Sequence, residues 1–129
     1  MAAENPKKPL IEYEKNGHTI VVSGSGKTLT LESNGQVIAR TSRGLVLREE
    51  GYKPVYYIPI EDVKPGVLAP TSKKTFCPFK GTANYYTLLA GDRKFENSVW
   101  QYAESTDEFA AIQNYVAFYD SAIDDIIES

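Results

Sequence analysis

Polar and apolar residues alternate along much of this chain, and a period of two restricts the fold to one built mainly of β-strands. Residues 28–32 are the clearest example, because threonine and leucine follow each other there before a glutamate. The Asn34-Gly35 pair that comes next is a favoured two-residue hairpin turn, since both residues tolerate a positive φ. The return segment 36–40 completes a predicted β-hairpin.

Other runs of β-branched and aromatic residues extend this pattern over the first half of the chain. They lie at residues 18–23, 45–48 and 55–58. Together with the hairpin they predict an antiparallel meander up to about residue 60. Residues 59–63 predict one helical turn, and Pro65, Gly66 and Pro70 predict a loop over the next ten residues.

The second half of the chain predicts further strands and a short helix. Strands are expected at residues 75–77, 85–89 and 99–102. Thr106-Asp107 predicts the cap of a helix that extends to about residue 114. Residues 115–119 fit a continued helix or a buried strand, and we prefer the strand. The predicted fold class is mainly β, a single compact antiparallel meander or rolled sheet with one short helix near the C-terminus.

Length and charge distribution predict how the domain is organised. A chain of 129 residues is long enough for one core, so we expect a single domain. We predict a disordered leader over residues 1–9 and one β-rich domain over residues 10–129 with an acidic C-terminal tail. Residues 105–129 contain several acidic side chains and neither lysine nor arginine. We expect a solvated acidic face with a frayed end, and a partner-binding tail is the alternative.

Composition excludes several classes of function and site. Fourteen basic and seventeen acidic residues give a net charge of −3, so the chain lacks the positive charge that is typical of nucleic-acid-binding proteins. No apolar run is long enough for a membrane span, and the N-terminus has no apolar core of a signal peptide. One cysteine cannot form an internal disulfide, so we expect a cytoplasmic protein. One cysteine and one histidine fall short of a structural zinc site, and we expect neither metal nor cofactor.

Residues 75–86 hold the most informative mixture of side chains in the chain. The segment combines the only cysteine with a proline, a lysine, a glycine and four aromatic residues, which is typical of a pocket lining. The Lys80-Gly81 pair predicts a turn that exposes an ammonium group and lets the backbone approach a ligand closely. Trp100 and Tyr102 point to the same side of a strand, where they offer an indole N–H and a phenol to a ligand.

The residues leave two readings open for the most reactive side chains. If Cys77 is a nucleophile, a neighbouring group must stabilise its thiolate. The candidates are Lys80, which is close in sequence, and His18, the only histidine of the chain. The alternative for Cys77 is a small buried hydrophobe. Asp62 follows an Ile-Pro turn and is a candidate site carboxylate, with a surface or capping role as its alternative. The predicted ligand-binding set is Tyr57, Asp62, Cys77, Lys80, Tyr85, Trp100 and Tyr102.

Four blocks of the chain resemble the domain-of-unknown-function family 427 (DUF427). They are residues 55–63, 75–86, 96–102 and 115–119, and the resemblance covers roughly residues 27–124. It implies a compact, mostly β fold of the Mss4-like kind and favours a strand at residues 116–119. The recurrent family positions it implies are Tyr57, Pro59, Asp62, Cys77, Pro78, Lys80, Gly81, Tyr85, Trp100, Tyr102 and Tyr119. Ile60 stands where members often carry an arginine, so an anion contact from that position is not expected.

The family also carries a nucleotidyltransferase-like label, which the residues do not support literally. Nucleotidyl transfer relies on metal ions held by converging carboxylates, and no such pair falls on a predicted strand. The function we predict is a small cytoplasmic β-domain that binds a small anionic or carbonyl-bearing ligand in an aromatic pocket. The alternatives are an enzyme with Cys77 as nucleophile and a protein-interaction module. Whether the chain is an enzyme, which ligand it binds and whether it forms a homo-oligomer stay open.

Overall fold

A computed structural model describes residues 9–129 as strands joined by turns and short 3-10 helices, so the leader predicted for residues 1–9 lies almost wholly outside the described residues. The strands are β1 (Ile11–Lys15), β2 (His18–Gly24), β3 (Leu29–Ser33), β4 (Gln36–Thr41), β5 (Leu45–Glu49), β6 (Val55–Pro59), β7 (Leu68–Cys77), β8 (Gly81–Ala90), β9 (Arg93–Ser105), β10 (Tyr115–Phe118) and β11 (Asp125–Glu128). The 3-10 helices are η1 (Ile60–Asp62), η2 (Asp107–Ile112) and η3 (Asp120–Ala122). None of the helices in this part of the chain is long and apolar enough to cross a membrane.

The strands form two antiparallel sheets, which confirms the predicted mainly β class. The large sheet has the order β1-β2-β5-β6-β10-β9-β8-β7, and the small sheet has the order β11-β3-β4. The predicted hairpin at Asn34-Gly35 is confirmed, with φ of 51° and 75° at the two residues. This hairpin leaves the large sheet, so β2 pairs with β5 rather than with β3. The likeness to the Mss4-like fold stays a prediction.

The strands of the second half are longer than predicted, and one of them occupies the predicted loop. β7 begins at Leu68 although Pro70 lies within it. Proline is tolerated there because β7 is the last strand of the large sheet and its pairing with β8 is irregular between Pro70 and Lys74. The predicted helix followed by a strand is confirmed as η2 and β10.

The C-terminal end is a strand, so the expected fraying is wrong for Asp125–Glu128. β11 pairs with β3 from Asp125 opposite Glu32 to Glu128 opposite Leu29. The acidic side chains stay exposed, while Ile126 between them packs against a buried cluster. Backbone pairing and this apolar contact hold an acidic segment in place although its charges are solvated.

Adjacent residues of the central strands pack into different clusters on the two faces of the large sheet. Ile58 and Val116 join a cluster with the small sheet, which includes Leu29 and Leu31. Their neighbours in sequence, Tyr57 and Ala117, join the second cluster, which η2 covers with Phe109 and Ile112.

The large sheet is rolled around this second cluster. Tyr13 of β1 lies 5.6 Å from Phe79 and 5.4 Å from Phe109, measured between ring centroids. His18 of β2 stacks on Phe79 with centroids 5.4 Å apart. Phe79 lies in the turn between β7 and β8, at the opposite edge of the large sheet from β1 and β2. These contacts therefore bring the two edges of the large sheet together. The result is a concave face that carries most of the predicted site.

Candidate functional site

A row of side chains across the central strands forms the middle of the concave face. Tyr85 of β8 stands opposite Trp100 of β9, and Trp100 stands opposite Ala117 of β10. Because Ala117 has only a methyl group, the indole can reach past it to β6. Trp100 Nε1 donates a hydrogen bond to the Tyr57 hydroxyl oxygen at 3.3 Å.

Five ring systems collect around this row, and we call them the aromatic face. They are Tyr57, Tyr85, Trp100, Tyr102 and Tyr119. Trp100 and Tyr119 pack with ring centroids 4.9 Å apart. The Tyr85 hydroxyl lies 3.0 Å from Thr75 Oγ1 on β7. Four of the five were predicted site residues, and Tyr119 was identified only as a recurrent family position.

Three phenols of the aromatic face, those of Tyr57, Tyr102 and Tyr119, have a raised pKa and stay protonated at neutral pH. Burial raises the pKa of Tyr57, although the hydrogen bond from Trp100 partly opposes the shift. Burial also raises the pKa of Tyr102, and the nearby ionisable groups Tyr57, Cys77, Tyr85 and Glu49 raise it further. The same causes, burial first and then the neighbouring Tyr85 hydroxyl, raise the pKa of Tyr119. These hydroxyls are therefore hydrogen-bond donors rather than phenolate anions.

The Tyr57 hydroxyl has a proton that no group of residues 9–129 accepts. Its oxygen accepts the hydrogen bond from Trp100, and only 2% of the residue is exposed. Within residues 9–129, no hydrogen bond runs from this hydroxyl to an acceptor. A buried donor in this state costs about 1–3 kcal/mol unless water or a ligand accepts its proton.

The β7–β8 turn is clamped against the end of β9. The Thr106 backbone N–H donates to the Lys80 carbonyl oxygen at 2.9 Å, and Thr106 Oγ1 donates to the Phe79 carbonyl oxygen at 2.7 Å. Gly81 follows with a φ of +115°, and a Cβ there would overlap the Glu104 carbonyl oxygen. Only glycine therefore lets the turn approach β9 closely enough to set the position of Lys80.

Lys80 faces a carboxylate rather than open solvent, which corrects the prediction of an exposed ammonium. Its Nζ lies 3.3 Å from Glu49 Oε1, and only 11% of its side chain is exposed. The other oxygen of Glu49 lies 2.8 Å from His18 Nε2. Glu49 is also close enough to Tyr57 and Tyr102 to raise the pKa of both phenols. This carboxylate therefore joins the aromatic face to the turn.

Cys77 lies at the end of β7, half-buried and close to Tyr57 and Tyr102. No hydrogen bond reaches its Sγ from any side chain of the described part of the chain. His18, the only histidine, is bound to Glu49 and stacked on Phe79. Residues 9–129 thus place no hydrogen-bonded base at Cys77, and its role as a nucleophile stays a prediction.

Asp62 is not with the other predicted site residues. It lies in η1, where Oδ2 accepts a hydrogen bond from Thr41 Oγ1 at 2.6 Å and lies 3.1 Å from Arg43. Hydrogen bonding to Asp62 raises the pKa of Arg43. These contacts fit the alternative surface role of Asp62, because they attach η1 to the end of β4.

A cleft of about 140 Å³ opens beside Trp100 where β10 ends. Its lining residues are Leu31, Lys53, Pro54, Val55, Tyr56, Trp100, Phe118, Tyr119, Asp120 and Ile126. Lys80 is not among them, so this cleft does not bring Lys80 and Trp100 together. Lys53 and Asp120 form an exposed ion pair of 3.4 Å at this cleft.

Sequence reasoning missed Glu49 and the cleft for different reasons. Glu49 was visible as one of an adjacent Glu49-Glu50 pair, but its partners lie thirty-one residues away in either direction. The cleft arises from the end of β10, which no residue pattern marks. The described residues contain no group of three or more metal-ligating side chains arranged to hold an ion.

Two comparisons with known proteins bear on these residues. The model of the family described as "Domain of unknown function (DUF427)" matches residues 21–129. This region includes the aromatic face, the β7–β8 turn and Glu49. A search of curated proteins finds no match.

Proposed function

We propose that this chain, which belongs to the DUF427 family, binds a small ligand through a carbonyl or carboxylate oxygen at its aromatic face. The observation that carries the proposal is the proton of the buried Tyr57 hydroxyl, which no group of residues 9–129 accepts. A carbonyl oxygen, directly or through one water, supplies the acceptor that the described residues do not. Trp100 is part of the same arrangement, because its indole N–H holds the Tyr57 oxygen.

The raised pKa values support a ligand that accepts hydrogen bonds. Burial raises the pKa of both Tyr57 and Tyr102, so two neutral phenols are available as donors at physiological pH. A neutral phenol favours an acceptor oxygen, whereas a phenolate would favour a cation. The rings supply apolar walls around these few polar atoms, which is the usual composition of a small-molecule site.

The charge balance favours a neutral carbonyl over an anion. Anion binding would rely on Lys80, but its Nζ lies 3.3 Å from Glu49. An incoming anion would have to displace that carboxylate or share the ammonium with it. A neutral carbonyl needs only the phenol donors, so the carbonyl part of the predicted ligand class has the better support.

Benzamide, a small ring with a neutral carbonyl, is a suitable probe. Trp100 is the only tryptophan, so a change in its fluorescence reports binding next to Tyr57. We expect benzamide to change the Trp100 emission and Tyr57→Phe to weaken binding about 2- to 10-fold, the effect of one lost hydrogen bond. The Tyr52→Phe variant is the matched control, because Tyr52 is an exposed tyrosine. Equal affinities of Tyr57→Phe and the unmodified protein would contradict the proposal.

A further inference from the structure

We infer that the cleft at the end of β10 holds a single uncharged ring, so that the ligand is a ring-bearing neutral carbonyl compound. The inference rests on the proposed function, since Trp100 both lines the cleft and donates to Tyr57. It adds the shape and charge of the ligand, which the aromatic face alone does not specify.

The cleft exists because one strand of the large sheet is short. β10 pairs with β6 through Val116 opposite Ile58, and with β9 through Phe118 opposite Val99. After Phe118 the chain turns into η3. The chain stays beside β9 as far as Tyr119, whose N–H donates to the Ser98 carbonyl oxygen at 2.8 Å, but β10 pairs with β6 only at Tyr115 and Val116. On this side the first residues of β6 therefore pair with no strand of residues 9–129. This gap in the sheet is the cleft, with Val55 and Tyr56 on one side and Trp100 on the other.

The volume of the cleft is large enough for one ring inside it. Its volume of about 140 Å³ is less than the 300–1,000 Å³ typical of drug-sized ligand pockets. An apolar cavity of about 150 Å³ accommodates benzene in another protein. Leu31, Phe118 and Ile126 supply apolar walls, and the packed rings of Trp100 and Tyr119 supply an aromatic one.

The charges around the cleft favour an uncharged occupant. Lys53 and Asp120 contribute one positive and one negative charge 3.4 Å apart. Their opposite charges largely cancel, so the cleft has little preference for an ion of either sign. The hydroxyl of Tyr56 is already bound to Glu128 at 2.6 Å. An ionic ligand would lose hydration against apolar walls without gaining a free partner, and a neutral ring avoids that cost.

Three probes test separately whether binding depends on the ring, on the carbonyl group and on the charge of the ligand. Benzamide has both the ring and the neutral carbonyl, acetamide lacks the ring, and benzoate carries a negative charge on the same ring. We expect Trp100 fluorescence to report binding of benzamide at concentrations at least about tenfold lower than those needed for acetamide or benzoate. If acetamide or benzoate bound with the same affinity as benzamide, the inference would be wrong.

Filling the cleft should remove the ring site. Val55→Phe adds volume to the wall of the cleft, and Val37→Phe makes the same change at an exposed position of β4. We expect Val55→Phe to weaken benzamide binding at least about tenfold and Val37→Phe to leave it unchanged. Unchanged binding by a folded Val55→Phe protein, as judged by circular dichroism, would overturn the inference.

A second pair of variants decides the matter if Val55→Phe does not fold. Tyr119 is 43% exposed, so Tyr119→Ala removes the ring beside Trp100 with little loss of packing elsewhere. Tyr119→Phe keeps that ring. We expect Tyr119→Ala alone to weaken benzamide binding several-fold, in line with the worth of an aromatic pair. Equal binding by both variants would count against a ring in the cleft.

The two proposals fail in different ways. If Tyr57→Phe weakens benzamide binding but the cleft variants do not, the proposed function stands and the ring site is wrong. If the cleft variants weaken binding but Tyr57→Phe does not, a ring does bind in the cleft and the role of the Tyr57 donor is wrong.

Discussion

Gly81 is the residue whose missing side chain allows the β7–β8 turn to lie against β9. Its φ is +115°, and an added Cβ would overlap the Glu104 carbonyl oxygen and lie 2.8 Å from Ser105 Cα. Gly51 also has a positive φ, +88°, but a Cβ there would meet nothing within 4 Å. Substitution of Gly51 therefore tests backbone strain alone, whereas substitution of Gly81 tests backbone strain together with the close approach to β9.

We expect Gly81→Ala to destabilise the protein by more than Gly51→Ala. Gly51→Ala should cost only the strained backbone conformation, about 1–3 kcal/mol. Gly81→Ala adds the displacement of β9, so its free energy of unfolding should fall further. Urea unfolding of both variants measures the difference, and equal losses would mean that the turn does not depend on its contact with β9.

The buried phenols predict a loss of stability at alkaline pH. An unfolded tyrosine has a pKa near 10, and burial raises the pKa of Tyr57 above that value in the folded state. This contribution is complete below about pH 10 and is lost as the pH rises further, because the unfolded chain then releases a proton that the folded protein keeps. The free energy of unfolding should fall by up to about 1.4 kcal/mol per pH unit for this group.

Urea unfolding at several pH values on both sides of about 10 measures this slope. Tyr57→Phe should make it shallower, because that variant lacks the buried ionisable group. Tyr52→Phe, which removes the hydroxyl of an exposed tyrosine, is the matched control. The same slope in both variants would show that Tyr57 is not the group responsible.

Residue types predicted the members of the site better than they predicted their partners. Alternation placed Trp100 and Tyr102 on one side of β9, because the side of a strand on which a residue lies is a local property. Tyr57 was selected through the family resemblance. The Glu49 carboxylate beside Lys80 depends on how β5 and the β7–β8 turn meet. No local pattern contains that information.

At the scale of elements, β11 shows how an acidic segment becomes structured. Ile126 faces the cluster between the sheets, while Ile127 is 41% exposed on the other side of the strand. We expect Ile126→Thr to lower the free energy of unfolding by about 1–2 kcal/mol through lost apolar burial. Ile127→Thr should change it by less than about 0.5 kcal/mol.

Thermal or urea unfolding of the two variants tests whether β11 is held in place. Both substitutions keep a β-branched side chain, so the difference between them reports burial rather than strand propensity. A frayed C-terminus would make both changes neutral, and that result would contradict the pairing of β11 with β3.

The prediction for the start of β7 was wrong because it did not take into account where this strand lies in the sheet. Proline and glycine near residue 66 predicted a loop, yet an edge strand can contain Pro70, because one side of β7 pairs with no other strand of residues 9–129. The position of β7 at the edge is set by the order of strands. That order is not a property of the segment itself.

At the scale of the whole molecule, the two halves of the chain are interleaved in one sheet. β6 pairs with β5 on one side and with β10 on the other, so strands from both halves are neighbours. A single cooperative unit is the physical consequence, because neither half can keep its sheet without the other.

We therefore expect unfolding to be all-or-none. Trp100 fluorescence reports the aromatic face, and far-ultraviolet circular dichroism reports all the strands. The two urea transitions should have the same midpoint within error. Separate midpoints would mean that the concave face unfolds independently of the rest and would contradict the expected single domain.

The sequence by itself determined most of the strands, the Asn34-Gly35 turn and which aromatic residues point away from their neighbours along a strand. These features follow from alternation and from the φ preferences of single residues, both of which act over a few positions. Only the tertiary structure decided that the β3–β4 hairpin leaves the large sheet, that Glu49 binds Lys80 and that a cleft opens where β10 ends. Those features depend on contacts between residues far apart in the chain, which no local period records.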